Sequence, residues 1–319
     1  MPSEYDSGMS ISRRQFLEAS AFASLLQPAI AKDGMPTRVL GKTGARVSLL
    51  AMGCGSRFLA YKTPDKAAEA VEVALQQGIT YFDSAYGYGN GQSETFLGPV
   101  LKPHREKIFL VTKIDARDGE NAWRRIEGAL TRLQTDHVDL MHVHSLGEED
   151  DLAKIEAKGG VLEMLQKAKA QKMTRFIGIT CHTNPVVLAK ALERHEFDCT
   201  QMALNAGRIG NVKGRPRSFE EIALPVALRK KMGVTAMKIF GQEKLLGATS
   251  IDNLVHYSMS LPVAATVIGM PQLEHIRANA GLARAFAPMP QEKMQELFDS
   301  MPGEKVFAMN EFFRDHQDA

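Results

Sequence analysis

Three cysteines, Cys54, Cys181 and Cys199, are all that 319 residues carry. A count that is odd and sparse gives no disulfide framework, and the spacing fits neither a zinc nor an iron–sulfur site. A bias of charge is missing too: 39 Lys and Arg against 37 Asp and Glu leave a net charge of +2, with the signs interspersed. That excludes the basic face or tail of a dedicated nucleic-acid binder. There is no fixed-period repeat of the solenoid kind and no low-complexity segment. The apolar run Ala19 to Ala31 holds about 13 residues, interrupted by Gln27 and Pro28, where a bilayer span needs roughly 20.

That run does have a meaning in its context. Ser12-Arg13-Arg14-Gln15-Phe16-Leu17 precedes it and is a twin-arginine pattern of the bacterial export type. Ala29-Ile30-Ala31 before Lys32 offers a small-residue cleavage site. The plain alternative is an arginine pair on an ordinary amphipathic helix. The combination predicts a signal peptide over 1–31, the twin-arginine export machinery as a partner, and a periplasmic or otherwise exported mature protein with no stable membrane anchor after cleavage. Because that route carries folded proteins, the chain is expected to fold in the cytoplasm first, around any cofactor it holds.

From Arg38 onward the pattern is regular. Alternation around Gly41-Lys42-Thr43-Gly44 predicts a hairpin. Buried strands are predicted at Val47–Met52, Ile79–Phe82, Ile108–Ile114, Val138–Val143, Arg175–Ile179, Cys199–Leu204, Val234–Met237 and Ala264–Ile268. Helical spacing falls between them, at Pro64–Gln77, Asn121–Leu133, Gly160–Ala170, Pro185–Leu192, Phe219–Lys231, Ile251–Ser260 and Leu273–Ala285, with a further start at Ser93-Glu94. Eight strand-then-helix units over about 250 residues are the size and order of a closed (β/α)8 TIM barrel. The rival, a doubly wound open sheet, wants a phosphate-binding glycine fingerprint after its first strand. Gly53-Cys54-Gly55-Ser56-Arg57-Phe58 is not one. The expected organisation is therefore a barrel over 38–289, opened by the hairpin, and a helical extension over 290–319, around Met294–Phe298 and Val306–Phe313, that caps the barrel or leans over its mouth.

In such a barrel the chemistry sits at the carboxyl ends of the strands. Strand two ends in Asp83, with Tyr88 five residues on between Gly87 and Gly89; strand three ends in Lys113, and strand four in His144. Singly, each has a plain reading: a cap, a packed ring, a snorkelling ammonium, a core imidazole. At matching positions of consecutive strands they form a chemical kit. A phenol is a weak acid at neutral pH; an adjacent ammonium favours its phenolate, and a buried carboxylate holds that ammonium in place. A histidine alongside can donate to a carbonyl oxygen. The kit polarises a carbonyl and protonates an alkoxide but has no electron source, so it implies a reducing cofactor.

Phe82-Asp83-Ser84-Ala85 with Tyr88-Gly89 and Ser93-Glu94, Thr112-Lys113, and Asp139-Leu140 with His144 resemble the signatures of the aldo-keto reductases. The resemblance covers roughly Arg38 to Ala285. It implies NAD(P)H-dependent reduction of a small-molecule aldehyde or ketone, with Asp83, Tyr88, Lys113 and His144 as the tetrad and Tyr88 as general acid. By the same resemblance NADP is the cofactor, with NAD left open because the usual basic and serine partners of a 2′-phosphate are replaced. Its contacts fall on Gly53, Thr180, Cys181, Gln201, Lys238, Gly241 and Asn279. Gln201 is the carboxamide partner and Asn279 the adenine contact; Cys181 stands where the family usually has asparagine, with His182 beside it. Met237-Lys238 replaces the tyrosine that many members stack on the nicotinamide.

Three other readings compete. The fold could bind its cofactor as a sensor or partner protein without turnover. His142 and His144 form a His-x-His pair, as in metal-dependent hydrolase barrels, although strand eight ends in Gly269-Met270 with no carboxylate. Lys113 could form a Schiff base, against which Asp83 stands because a carboxylate keeps a lysine protonated. Arg208, Lys213, Arg215 and Arg217 crowd the loop after strand six, as a solvated loop or an anion guide. The thiols at Cys54, Cys181 and Cys199 are expected to stay free, lying on opposite faces of the barrel or across it.

Overall fold

The computed structural model describes residues 29–30, 34–212, 215–216 and 218–314. Arg13, Arg14 and the junction at Ala31-Lys32 lie outside the described residues. A small antiparallel sheet comes first: β1 (Ala29–Ile30), β2 (Pro36–Val39) and β3 (Arg46–Ser48), with β2 pairing to both neighbours. The β2–β3 hairpin is the one predicted around Gly41 and Gly44, and it plugs the amino-terminal end of the barrel. Leu40 is buried among Tyr81, Phe109, Leu140 and Val267. The Lys42 amide donates to the Lys231 carbonyl at 2.7 Å. A Cβ at Gly41 would lie 2.4 Å from the backbone of Met232 and Gly233, so only glycine lets the plug seat. Arg38 ties it sideways by donating to the carbonyls of Met259 and Val263, each at 2.8 Å.

Eight strands then close the barrel. In chain order they are β4 (Leu50–Gly53), β5 (Tyr81–Asp83), β6 (Phe109–Ile114), β7 (Val138–Val143), β8 (Thr174–Cys181), β9 (Cys199–Ala203), and, after a short ribbon of β10 (Asn211–Val212) and β11 (Arg215–Pro216), β12 (Gly233–Met237) and β13 (Ala265–Gly269). Neighbours pair in parallel all the way round, β13 closing onto β4. The period-two alternation of a strand sorts the side chains. Ala51, Tyr81, Phe109, Val111, Leu140 and Val267 fill the interior. Leu50, Met52, Phe82, Leu110, Met141 and Ile179 face the layer beneath the helices. Inside, Tyr81 stacks on Phe109 with centroids 5.1 Å apart.

The helices are α1 (Ser56–Leu59), α2 (Pro64–Gln76), α3 (Gln92–Leu101), α4 (Gly119–Leu133), α5 (Glu149–Ile155), α6 (Val161–Ala170), α7 (Pro185–Arg194), α8 (Ala223–Arg229), α9 (Ile251–Ser260), α10 (Leu273–Arg284), α11 (Gln291–Asp299) and α12 (Gly303–Arg314). Several begin on side-chain caps, each worth about 1 kcal/mol. Thr63 caps α2 ahead of Pro64, Asp118 caps α4, Asn184 caps α7 ahead of Pro185, and Ser250 caps α9.

Some boundaries differ from expectation. The strand predicted at Val47–Met52 is two strands: the chain turns at Leu49, whose amide donates to the Pro36 carbonyl at 2.8 Å, and passes from the plug into the barrel. The helix predicted at Phe219–Lys231 is cut to Ala223–Arg229, its front taken by turns at Ser218 and Phe219. The acidic α5 has too little apolar periodicity to be read in advance.

Candidate active site

Strand register brings the predicted tetrad together. β5 pairs Asp83 with Val111 of β6, and β6 pairs Lys113 with His142 of β7, so Asp83, Lys113 and His144 rise side by side at one end of the barrel. The centre is Lys113. Its ammonium donates to Asp83 Oδ2 at 2.7 Å, to the Ser84 carbonyl at 2.9 Å and to the Tyr88 hydroxyl at 3.1 Å. Lysine and aspartate side chains are 1% and 3% exposed. Three donors on three acceptors is the full capacity of an ammonium. With its nitrogen directed at three protein acceptors, the side chain presents no free approach to a substrate carbonyl, which weighs against the Schiff-base reading.

Tyr88 arrives on the loop after β5. The loop turns tightly: Gly89 has φ of +66, and a Cβ there would meet Leu59 at 2.8 Å, so glycine is needed on both counts. The Tyr88 ring lies beneath the Lys113 ammonium, 4.7 Å from its centroid, and meets His144 edge-on at 5.6 Å. His144 is anchored by its own backbone, its amide donating to Ile114 at 2.9 Å and its carbonyl accepting from Arg117 at 2.8 Å.

His142 is a different case. It points into the barrel below the tetrad, fully buried, and neither ring nitrogen has a partner among the described residues. Burial first, then Lys113 and His144, push its pKa well below the ordinary histidine range, so the ring is neutral. Its volume is supplied by a glycine: a Cβ at Gly178 would fall 2.5 Å from His142 Nδ1. Among the described residues, no group of three or more His, Cys, Asp or Glu is arranged to hold a metal ion.

The residues expected at a cofactor are placed unequally. Gln201, on the inward face of β9, is fully buried with both amide atoms unpartnered among the described residues. A buried amide in that state fits a second carboxamide, so the donor set matches a nicotinamide. Thr180 lies at the carboxyl end of β8, its hydroxyl accepting from the Ser145 amide at 2.8 Å. Gly53 ends β4 in register with Asp83 and with Gly269, packed so closely that a Cβ would be 3.2 Å from the Gly269 amide nitrogen. Lys238 and Gly241 follow β12 in left-handed conformations, φ 60 and 55. Asn279 is buried on α10. Cys181 does not join them. Alternation turns its side chain into the layer under the helices, where Sγ donates to the Leu146 carbonyl at 3.2 Å. The preceding Thr180 is the residue of that pair that strand alternation assigns to the interior.

Sequence reasoning missed the brace behind the tetrad. Glu94 on α3 is completely buried; one oxygen accepts from Arg132 at 2.7 Å and the other from the Thr112 hydroxyl, beside Lys113. Ser93 donates to the Cys54 carbonyl at 2.6 Å and shares a 2.8 Å hydrogen bond with Ser84. Asp139, one of the residues that carry the family resemblance, is structural: it accepts from Arg105, Arg175 and the Leu110 amide, locking β7 to β6 far below the mouth. A fully buried carboxylate with an arginine partner is the signal of both braces, but burial is invisible in a lone sequence.

Barrel, strand-end tetrad and buried amide define an oxidoreductase scaffold of the (β/α)8 class. Comparison with known proteins supplies the family. Residues 50–263 match the model of the aldo/keto reductase family, and the chain belongs to it. It is 36% identical over 155 residues to an L-galactose dehydrogenase of Arabidopsis thaliana, covering 45% of this chain and 47% of that one. It is 30% identical over 205 residues to a methylglyoxal reductase of Escherichia coli, covering 56% and 72%. In several of these matches the chain spans about half the length of the curated relative or less. Among solved structures, an aldo-keto reductase of Bacillus halodurans in its holo form superposes with a TM-score of 0.70 at 22% identity, over 84% of this chain and 97% of the other. One from Klebsiella pneumoniae in complex with NADPH gives 0.66 at 19%, over 84% and 96%. At such identities these two likenesses speak for the fold.

Proposed function

We propose that the chain reduces a small aldehyde or ketone with NADPH or NADH, Tyr88 acting as general acid. The observation that carries this is the Lys113 ammonium joined at once to Asp83 and to the Tyr88 hydroxyl. A bound reduced nicotinamide supplies the hydride. Gln201 and Thr180 would hold its carboxamide side, and Lys238, Gly241 and Asn279 the remainder. The substrate carbonyl oxygen sits against Tyr88 and His144. Tyr88 gives its phenolic proton to that oxygen as negative charge develops. Lys113 stabilises the phenolate left behind, and Asp83 keeps the ammonium charged and aimed. His144 orients the oxygen. The closed interior beneath, walled by Leu140, Val111 and Tyr81, keeps water away from this charge movement. The NADPH complex of the Klebsiella pneumoniae protein supports the choice of cofactor, and the methylglyoxal and L-galactose named for two relatives support a small polar carbonyl compound as the substrate class.

The test is Tyr88→Phe. Cofactor binding, followed by NADPH fluorescence, should persist while turnover of an aldehyde and quinone panel is lost. A fully active variant would remove Tyr88 from its role; a native chain that binds cofactor and turns over nothing would favour the sensor reading. We also propose export: the Arg13-Arg14 pattern supports passage of the folded, cofactor-loaded domain to the periplasm.

A further inference from the structure

Helix α12 is not an appendage. Met309, on its inner face, is fully buried and drops between two glycines that belong to the mouth. A Cβ at Gly207, after β9, would lie 2.8 Å from Met309 Cε; one at Gly241, after β12, would lie 2.8 Å from its Sδ. One turn further, Phe313 is buried between the ends of β8 and β12: the His182 ring meets it edge-on at 5.9 Å, and the Lys238 ammonium stands 5.8 Å from its centroid. Gly241 and Lys238 are two of the residues that would hold a dinucleotide, and Gly207 follows Gln201 by six positions. The helix therefore lies directly on the cofactor side of the mouth.

Among the described residues, Asn310 Oδ1 accepts from the Gly210 amide at 3.2 Å, and Lys305 of the same helix donates to the Leu246 carbonyl at 2.6 Å. Its outer face shows Phe307 to solvent at 65% exposure. The preceding helix is held separately. Arg208 donates to Gln295 of α11 at 2.9 Å and lies over Phe298 at 4.3 Å, which ties α11 to the loop after β9 without involving α12. The loop it covers is under backbone tension, with Lys238, Gln242 and Glu243 all at positive φ (60, 51 and 68), the kind of strain that a bound ligand can relieve.

We propose that α12 is part of the dinucleotide site, a clasp in which Met309 and Phe313 must lift for a nicotinamide cofactor to enter and close over it afterwards. This rests on the reductase reading above and deepens it. A thioether knob suits the task, because methionine repacks against changing neighbours with little penalty. A clasp of this kind makes cofactor exchange slow.

Stopped-flow NADPH fluorescence on the full chain tests it. The native association rate should level off as NADPH rises, because opening becomes limiting. In the double variant Met309→Ala/Phe313→Ala the plateau should rise at least tenfold and release should quicken similarly. Phe307→Ser, on the exposed face of the same helix, should leave both unchanged. Hydrogen exchange should show the α12 amides slowed by NADPH. A rate that climbs linearly with NADPH, is indifferent to the double variant and comes with no protection of α12 overturns the clasp while leaving the reductase reading intact. A chain that binds neither NADPH nor NADH overturns the reductase reading, and the clasp falls with it.

Discussion

Replacing Lys113 with methionine isolates the electrostatics of the tetrad. Methionine fills most of the space of the lysine stem, so the cavity is small and the loss is one of charge and hydrogen bonds. The native ammonium makes three hydrogen bonds of 2.7, 2.9 and 3.1 Å inside a site only 1% exposed. Its removal leaves the Asp83 carboxylate buried without a cation, and Asp83 Oδ1 has no partner among the described residues to soften this. Breaking a buried pair on one side costs about 3–5 kcal/mol, whereas removing both charges together is often close to neutral. Lys113→Met should therefore lose about 3–5 kcal/mol, and Lys113→Met/Asp83→Leu should recover most of it, within about 1 kcal/mol of native. Urea unfolding of both single variants, the double and the native chain closes the cycle, with carbonyl turnover as a parallel readout that all three variants should lose. A Lys113→Met variant less than about 1 kcal/mol weaker than native, or a double variant equal to the sum of the singles, would show that the pair is solvated and the electrostatic account of Tyr88 is wrong.

The Glu220 carboxyl is pushed up to about 7, chiefly by burial, against Arg208 and Tyr257. A raised folded value means its contribution is fully present below the unfolded value near 4.3 and lost as pH rises through 7; stability should fall by on the order of 3 kcal/mol across that window, and Glu220→Gln should flatten the slope in thermal melts. All three thiols are free and buried, with Cys181 pushed up to about 11 and Cys54 and Cys199 higher still, each mainly by burial. At pH 8 a disulfide reagent should label none in the native chain and all three after unfolding; rapid native labelling would contradict the packing. Replacing Arg13 and Arg14 with lysine should leave active, uncleaved protein in the cytoplasm, and normal export of that variant would end the twin-arginine reading.

What the sequence made legible was whatever repeats or sits at a strand end. Eight apolar runs separated by helical spacing demand parallel strands, and parallel strands joined by helices close or stack in few ways. Asp83, Lys113 and His144 end consecutive runs, so their convergence follows from topology alone, and Tyr88 from a loop too short to carry it elsewhere. Cys181 shows the limit: a shift of one residue along a strand reverses the face, and a motif match at the end of β8 carries no facing. The seat of α12 was illegible for another reason. Met309 meets Gly207 and Gly241 across sequence separations of about a hundred and about seventy, and no local pattern encodes such a contact.

The same distinction bears on how the tetrad keeps its geometry. Ser93-Glu94 looks in sequence like part of the reactive signature, yet both side chains point away from the chemistry and into its support. Ser93 fastens the end of β4 through the Cys54 carbonyl and the end of β5 through Ser84. Ser84 is also the residue whose carbonyl takes one of the three Lys113 donors. Glu94 fastens Thr112, the neighbour of Lys113 on β6, to Arg132 on α4. Two adjacent residues at the start of α3 thus tie together three strands and a helix around one ammonium. A hydroxyl–carbonyl or carboxylate–arginine bond in this setting fixes distance far better than apolar packing, whose partners slide. The general-acid role proposed for Tyr88 rests on a 3.1 Å contact to lysine and would need that fixity, since misplacement of even 1 Å can cost a hundredfold in rate. The paired Ser-Glu therefore has a mechanical role: it holds in register the strand ends that carry Asp83 and Lys113.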